Sequence, residues 1–179
     1  DSSNSQQPSH PSRGGLGGRA VPAGAIGRLA CFSFHPRKIV TTGEGGAVTT
    51  ADPALDARLR RLRNHGMEAA PGGLSFAEPG WNFRLSELHA AVGLVQMGRL
   101  ATLLADRARI AAGYAERLAP LVARGLGLPR VPQGAGPTWQ SYVVLLPEGY
   151  RVEAVSAALR ARGVEANLGA HAIHQHPAY

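Results

Sequence analysis

Lysine is nearly absent from this chain: one residue, Lys38, is lysine, and the remaining 18 of the 19 Lys+Arg positions are arginine. Cysteine is as scarce. Cys31 stands alone, which excludes an internal disulfide framework and a cysteine-based metal cluster and fits a reducing, cytoplasmic setting. No apolar run approaches the roughly 20 residues needed to span a bilayer, and no charged-then-apolar leader opens the sequence, so no membrane partner is expected. Acidic residues are outnumbered, 12 Asp+Glu against 19 Lys+Arg, giving a formal charge of +7. Such a balance raises nucleic acid as a partner. The arginines are nevertheless dispersed, and the one dense run, Arg58 to Arg63, shares its segment with a leucine face. A solvated helix face accounts for it better than a phosphate-backbone site, and no nucleic-acid partner is expected.

What the chain does have is a distinctive stretch around its single lysine. Ala30-Cys31-Phe32-Ser33-Phe34 has strand character and breaks at His35-Pro36; Arg37-Lys38 follows, and the chain returns through Thr41-Thr42-Gly43-Glu44-Gly45-Gly46 into a second β-branched run ending at Thr50. A chain that uses arginine wherever a positive charge suffices has kept an amine here. Guanidinium stays protonated and forms no imine, whereas an ε-amine can act as nucleophile and proton carrier. The plainer reading is a solvated loop charge. The Gly43–Gly46 turn is no phosphate loop, because it lacks the Gly-Lys-Ser/Thr ending of a P-loop and the spacing of a dinucleotide fingerprint.

In chain order, residues 1–24 are rich in Ser, Gln, Pro and Gly and read as a leader without periodicity. Asp52-Pro53 predicts an N-cap and first helical position, with leucines at 55, 59 and 62 on one face and a stop at Gly66. The stretch Met67 to Gly80, with Pro71-Gly72-Gly73 and Pro79-Gly80, reads as an irregular loop ending at Asn82. Ser86 to about Leu121 is helical throughout, capped by Ser86 and broken at Gly98. Its apolar stripe of Leu88, Ala91, Val92 and Val95, then Leu103, Ile110, Tyr114 and Leu118, is expected to be core or interface. Leu126 to Pro137 reads as a linker, followed by a strand over Trp139–Leu146, a helix from Val152 to Arg162 closed by Gly163, and a strand over Val164–Leu168. His171, His174 and His176 invite a zinc reading, but no cysteine or carboxylate nearby completes a ligand set, and no metal is expected.

Ser33-Phe34-His35-Pro36-Arg37-Lys38 with Thr41 to Gly46 closely resembles the lysine segment of the DegT/DnrJ/StrS-type sugar aminotransferases, a branch of the fold-type I pyridoxal phosphate enzymes. The resemblance continues in the family's order through Leu62-Arg63-Asn64-His65-Gly66, Gly80-Trp81-Asn82-Phe83-Arg84-Leu85-Ser86-Glu87-Leu88 and His174-Gln175-His176-Pro177-Ala178-Tyr179. It implies an α/β, aspartate-aminotransferase-like fold. Residues 1–125 would belong to the cofactor-binding large domain and residues 126–179 to a partial small α/β domain. Family members are considerably longer, so the resemblance also implies an interior portion of a larger enzyme.

The implied cofactor is pyridoxal 5′-phosphate, bound as a Schiff base by Lys38. Ser33 would bind its phosphate, against the alternative of an ordinary strand serine. Asp1 would face the pyridinium nitrogen and Asn4 would pack near the ring, although the separation of Asp1 from Lys38 exceeds the family's and requires an insertion around Pro11 to Pro22. Asn82 would reach a partner subunit's cofactor phosphate in a homodimer, against the alternative of a helix-capping role. Arg28 stands where the family commonly has aspartate, with no mechanistic meaning evident from the sequence. The implied reaction moves an amino group from an amino acid, usually glutamate or glutamine, to a keto sugar, mainly a nucleotide-linked one. A related dehydratase branch replaces the lysine with histidine, and Lys38 argues against it. The rivals are a catalytically incomplete remnant of such an enzyme and a basic nucleic-acid-binding module.

Overall fold

The computed structural model describes residues 21–178. Strand β1, Ala30–Ser33, pairs antiparallel with β2, Gly46–Thr49, with Ala30 opposite Thr49 and Ser33 opposite Gly46. The apolar and β-branched residues on either side of the lysine segment thus form one hairpin, and Lys38 lies in its connection. Helix α1, Pro53–Leu62, follows at once. Asp52 is its cap, its carboxylate accepting from the backbone N–H of Ala54 and Leu55, and Pro53 occupies the first turn, where no N–H is missed.

Helix α1 ends at Leu62 rather than running to Gly66. The residues beyond it are taken by a second chain segment: Leu62 and Arg63 O accept from Trp81 and Phe83 N, and Asn64 bridges to Asn82. His65 and Gly66 both adopt left-handed backbone, at φ 60° and 75°. At Gly66 any Cβ would lie 1.6 Å from Glu78 O, so this crossing of two backbones admits only glycine.

The stretch between the crossing segments is ordered, which corrects the loop expected for Met67 to Gly80. Strand β3, Met67–Ala70, pairs antiparallel with β4, Gly73–Phe76. The signal was weak because the strands carry few β-branched residues and the turn is Pro71-Gly72, with Gly72 at φ 93°. Proline followed by a left-handed glycine is type II chemistry, not the mirror-image turn that marks most hairpins. Glu78 ties the hairpin to α1 through Arg58 at 3.1 Å and Arg61 at 3.2 Å, while Arg61 also approaches Glu68 at 3.5 Å. Partial burial pushes the Glu78 carboxyl up, but the hydrogen bonds from Arg58 and Arg61 outweigh it and the net shift is downward. With Arg60 on Asp56 at 2.9 Å, three arginines of the dense run are neutralised within the fold.

Helix α2, Glu87–Gly98, is capped by Ser86, whose hydroxyl accepts from His89 N. It meets α3, Leu100–Val122, across a bend of 58°, at the break expected at Gly98. Among the described residues the apolar stripe is not a core. Leu88 is 81% exposed, Val92, Val95, Ile110 and Tyr114 are exposed as well, and Val40 and Ala111 are the buried apolar residues among those described. An apolar face is buried only against a facing layer, and two separate two-stranded sheets with α2 resting on α3 do not supply one.

After α3 the chain has one further regular helix, α4, Val152–Arg160, ending near Gly163 at φ 78°. The strands expected over Trp139–Leu146 and Val164–Leu168 do not form. A strand exists only where its backbone groups pair with a neighbouring extended segment, and in these two stretches only Leu145 makes such a bridge, to Gly127. No single helix among the described residues is long and apolar enough to cross a membrane; only α2 and α3 taken together across their bend have that length and composition.

Arg28 gains a meaning that was not evident in the sequence. Its guanidinium lies 3.2 Å from Asp52 and its carbonyl accepts from Thr50 Oγ1 at 2.6 Å, tying the entry to β1 to the start of α1. The backbone hydrogen bond from Leu55, then the side-chain hydrogen bond from the Arg28 guanidinium, holds the Asp52 carboxyl below the usual carboxylate range. The stability it contributes is therefore complete above the unfolded value near pH 3.9 and is lost as pH falls through the lower folded value. In the full-length protein, Asp52→Ala should lower the thermal midpoint at pH 7 by roughly 2–4 °C. In scans at decreasing pH, the gap from the parent protein should narrow below about pH 4.

Candidate active site around Lys38

The connection from Ser33 to Gly46 is held almost entirely by its own polar groups. Phe34 is the hub: its N–H donates to Gly45 O at 2.9 Å, and its carbonyl accepts from Thr42 N at 3.1 Å and Thr41 Oγ1 at 2.8 Å. Lys38 N donates to His35 O at 2.9 Å, closing a turn with Pro36 at its second position, where proline's fixed φ is pre-set. Within that turn Arg37 N donates to His35 Nδ1 at 3.2 Å, and His35 N donates to Ser33 Oγ at 3.3 Å. The His35 side chain thus satisfies local backbone.

The return leg is closed by Thr42, the buried polar side chain among the described residues, whose hydroxyl donates to Glu44 O at 2.7 Å. Gly45, at φ 145°, passes so near that a Cβ there would lie 2.7 Å from Thr42 Oγ1 and 2.8 Å from Leu85. On the other side Gly93 of α2 faces Thr42, and a Cβ on Gly93 would sit 2.9 Å from Thr42 Cγ2. The loop is therefore seated directly on the α2 backbone.

Lys38 itself is exposed, and no carboxylate among the described residues pairs with it. Ser33 is exposed at the end of β1, on the same turn. Asn82 is exposed and lies outside this loop: it follows the β3–β4 hairpin, bridges Asn64, and sits between Trp81 and Phe83, whose rings stack at 5.7 Å. Arg84 donates to Asn64 Oδ1 at 2.7 Å, and the cap of α2 is Ser86 rather than Asn82. Asp1 and Asn4 lie outside the described residues. His171 and His176 meet edge to face at 5.6 Å, and no group of three metal-ligating side chains occurs among the described residues.

One contact to this loop had no signal in the sequence. Gln140 Nε2 donates to Arg37 O, across 103 positions of chain. Gln140 also lines an open groove of about 530 Å³ together with Arg130, Val131, Pro137, Trp139 and Ser141. Nothing in the spacing of residues 37 and 140 announces that they meet.

A family model for DegT/DnrJ/EryC1/StrS aminotransferases matches residues 15–179. The chain belongs to this family. It is 37% identical over 163 residues to GDP-perosamine synthase of Caulobacter vibrioides, covering 90% of this chain and 43% of that protein. Among solved structures, the aminotransferase TlmJ of Streptoalloteichus hindustanus superposes with a TM-score of 0.78 at 29% identity, covering 87% of this chain and 42% of that one. DesI, solved with its TDP-sugar product, gives a TM-score of 0.70 at 35% identity, covering 80% and 36%. The chain thus spans less than half the length of the relatives it matches, and the described residues are a mixed α/β portion of the fold-type I architecture.

Family membership carries dependence on pyridoxal phosphate. The residues present fit that group. Lys38 offers an exposed amine that no carboxylate among the described residues pairs with, and the Ser33 oxygen accepts from His35 N, so its own O–H is left to donate to a phosphate oxygen.

The seating of the loop on α2 can be tested at its two helix glycines. Replacing a helix glycine by alanine ordinarily stabilises by up to about 1 kcal/mol. Gly98→Ala, with nothing within 4 Å of its added Cβ, should follow that rule. Gly93→Ala should instead lower the thermal midpoint of the full-length protein and weaken retention of the cofactor on dialysis, because its methyl must displace Thr42.

Proposed function

We propose that this chain is the lysine-bearing part of a pyridoxal 5′-phosphate-dependent aminotransferase that moves an amino group from an amino acid, glutamate above all, to a keto sugar, with a nucleotide-linked sugar the favoured acceptor. The observation that carries the proposal is the single lysine of an arginine-rich chain, held on a hydrogen-bonded turn one strand's end away from a serine hydroxyl. In this reading residues 1–125 belong to the cofactor-binding large domain, residues 126–179 to the small domain, and the enzyme works in the cytoplasm. The sugar-linked names of the perosamine synthase and DesI support the acceptor class.

The cofactor, when bound, supplies an aldehyde and an electron-withdrawing ring. Lys38 Nζ is its covalent anchor. When free, that same amine would take up the proton from the amino donor's α-carbon, which a guanidinium in its place could not do. Ser33 Oγ donates a hydrogen bond to the phosphate and so fixes the ring relative to the lysine. Asp1 would keep the pyridine nitrogen protonated and Asn4 would pack beside the ring. No metal takes part.

Asn82 serves the other subunit of a homodimer, its amide donating to a phosphate oxygen without adding charge. Its exposure, the absence of a capping role and the exposed Trp81 and Phe83 on either side support this placement.

In the full-length protein, reduction with borohydride followed by peptide mapping should label Lys38, and Lys38→Arg should abolish the yellow colour and the amino transfer. A label on any other residue, or a colour indifferent to the substitution, overturns the proposal. For Asn82, inactive Lys38→Ala and Asn82→Ala proteins are mixed and allowed to exchange subunits. Activity should return, because each heterodimer concentrates both defects in one site and leaves the other intact; heterodimers that form and stay inactive place Asn82 in its own subunit's site or in none.

A further inference from the structure

We infer that Gln140 is a positioning residue for Lys38, its side-chain amide fixing the peptide that joins Arg37 to Lys38 and thereby aiming the lysine. The inference rests on the reading of Lys38 as the cofactor lysine. A peptide unit is planar, so holding both its ends sets the backbone torsions on either side. Here the N–H end, on Lys38, is held by His35 O, and the C=O end, on Arg37, is held by Gln140 Nε2. Those torsions set the direction in which the Lys38 side chain leaves the backbone. The other bonds that shape the turn, from Ser33, His35, Thr41 and Thr42, come from within the connection itself. Arg37 O alone among them takes its donor from the far end of the chain.

The donor is itself held with care. Trp139, the residue before it, is at φ 53°, a left-handed conformation that a bulky side chain rarely adopts. Such a conformation persists only where the surroundings enforce it, and it concentrates at working sites. Arg107 of α3 enforces it here, its Nη1 donating to Trp139 O at 3.0 Å and Gln140 O at 3.4 Å. The Trp139 ring stacks on Tyr142 at 5.7 Å, and Tyr142 stacks on Tyr114 of α3 at 5.2 Å. Residues 139–142 therefore form a strap anchored on α3, with Gln140 as the side chain that crosses to the lysine turn. The chemistry suits the task. A neutral amide donates to a carbonyl without adding a further positive charge to Arg37 and Lys38, whereas a carboxylate has no proton to donate and would repel the carbonyl.

The test uses the full-length enzyme carrying Gln140→Glu, Gln140→Met and, as a control on the same strap, Ser141→Ala. Amide exchange over the segment Phe34 to Thr41 is measured by mass spectrometry in the cofactor-free protein, and kcat and KM in the loaded one. Both Gln140 variants should exchange this segment several-fold faster and lose roughly five- to tenfold in kcat, the loss expected for one neutral hydrogen bond. KM for the amino donor and the exchange of α2 and α3 should stay at the values of the Ser141→Ala control. Exchange unchanged in both variants overturns the inference, and so does a fall in kcat without faster exchange. Two variants of different charge keep the result readable if one fails to fold. A Lys38→Ala protein that stays active defeats the reading of Lys38 instead, and the exchange experiment, made without cofactor, separates that failure from this one.

Discussion

The contact between Thr42 and the two glycines that flank it sets the lysine loop in place. Its hydroxyl is buried and donates to Glu44 O, its methyl faces Gly93 of α2, and Gly45 folds over its oxygen. An unsatisfied hydroxyl at that depth would cost about 1–3 kcal/mol, so the return turn through Gly43-Glu44-Gly45 is tied to the threonine that needs its carbonyl. Because Thr42 N also donates to Phe34 O, the same residue fixes the far strand of the hairpin. The direction of Lys38 then follows from a turn whose two legs are already fixed.

A second constraint operates at the crossing of residues 64–66 with 78–82. Two backbones approach there until only glycine fits at Gly66, and the Asn64–Asn82 bridge and Glu78 ion pairs close it. This crossing carries Asn82 out beside two exposed aromatic rings while the lysine hairpin stands on the opposite side of α1 in sequence. The two groups of functional candidates thus rest on different closures, one built of threonine and glycine packing, the other of backbone pairing and arginine–carboxylate contacts. Damage to one need not disturb the other.

The exposed faces of α2 and α3 belong with the chain's coverage of less than half its relatives. Leu88, Leu94 and Val95 are the kind of residues that bury against a facing layer, and the described residues hold no such layer. Leucines and valines at helical spacing say that a face will be covered, without saying by which part of which chain.

Local chemistry was legible in the sequence. The lysine amine amid arginines, the Asp52-Pro53 start of α1, the Ser86 cap and the break at Gly98 all follow from what single residues do to the few bonds nearest them, and the ordered run of motifs carried the family. Tertiary structure decided what depends on distant partners. The expected strands after residue 138 failed for want of backbone partners, while the Pro71-Gly72 turn made a hairpin where a loop was expected. Arg28 found Asp52 across 24 positions and Gln140 found Arg37 across 103. A hydrogen bond or a close backbone approach is a property of position in space, and only the folded chain brings such residues within 3 Å or so of one another.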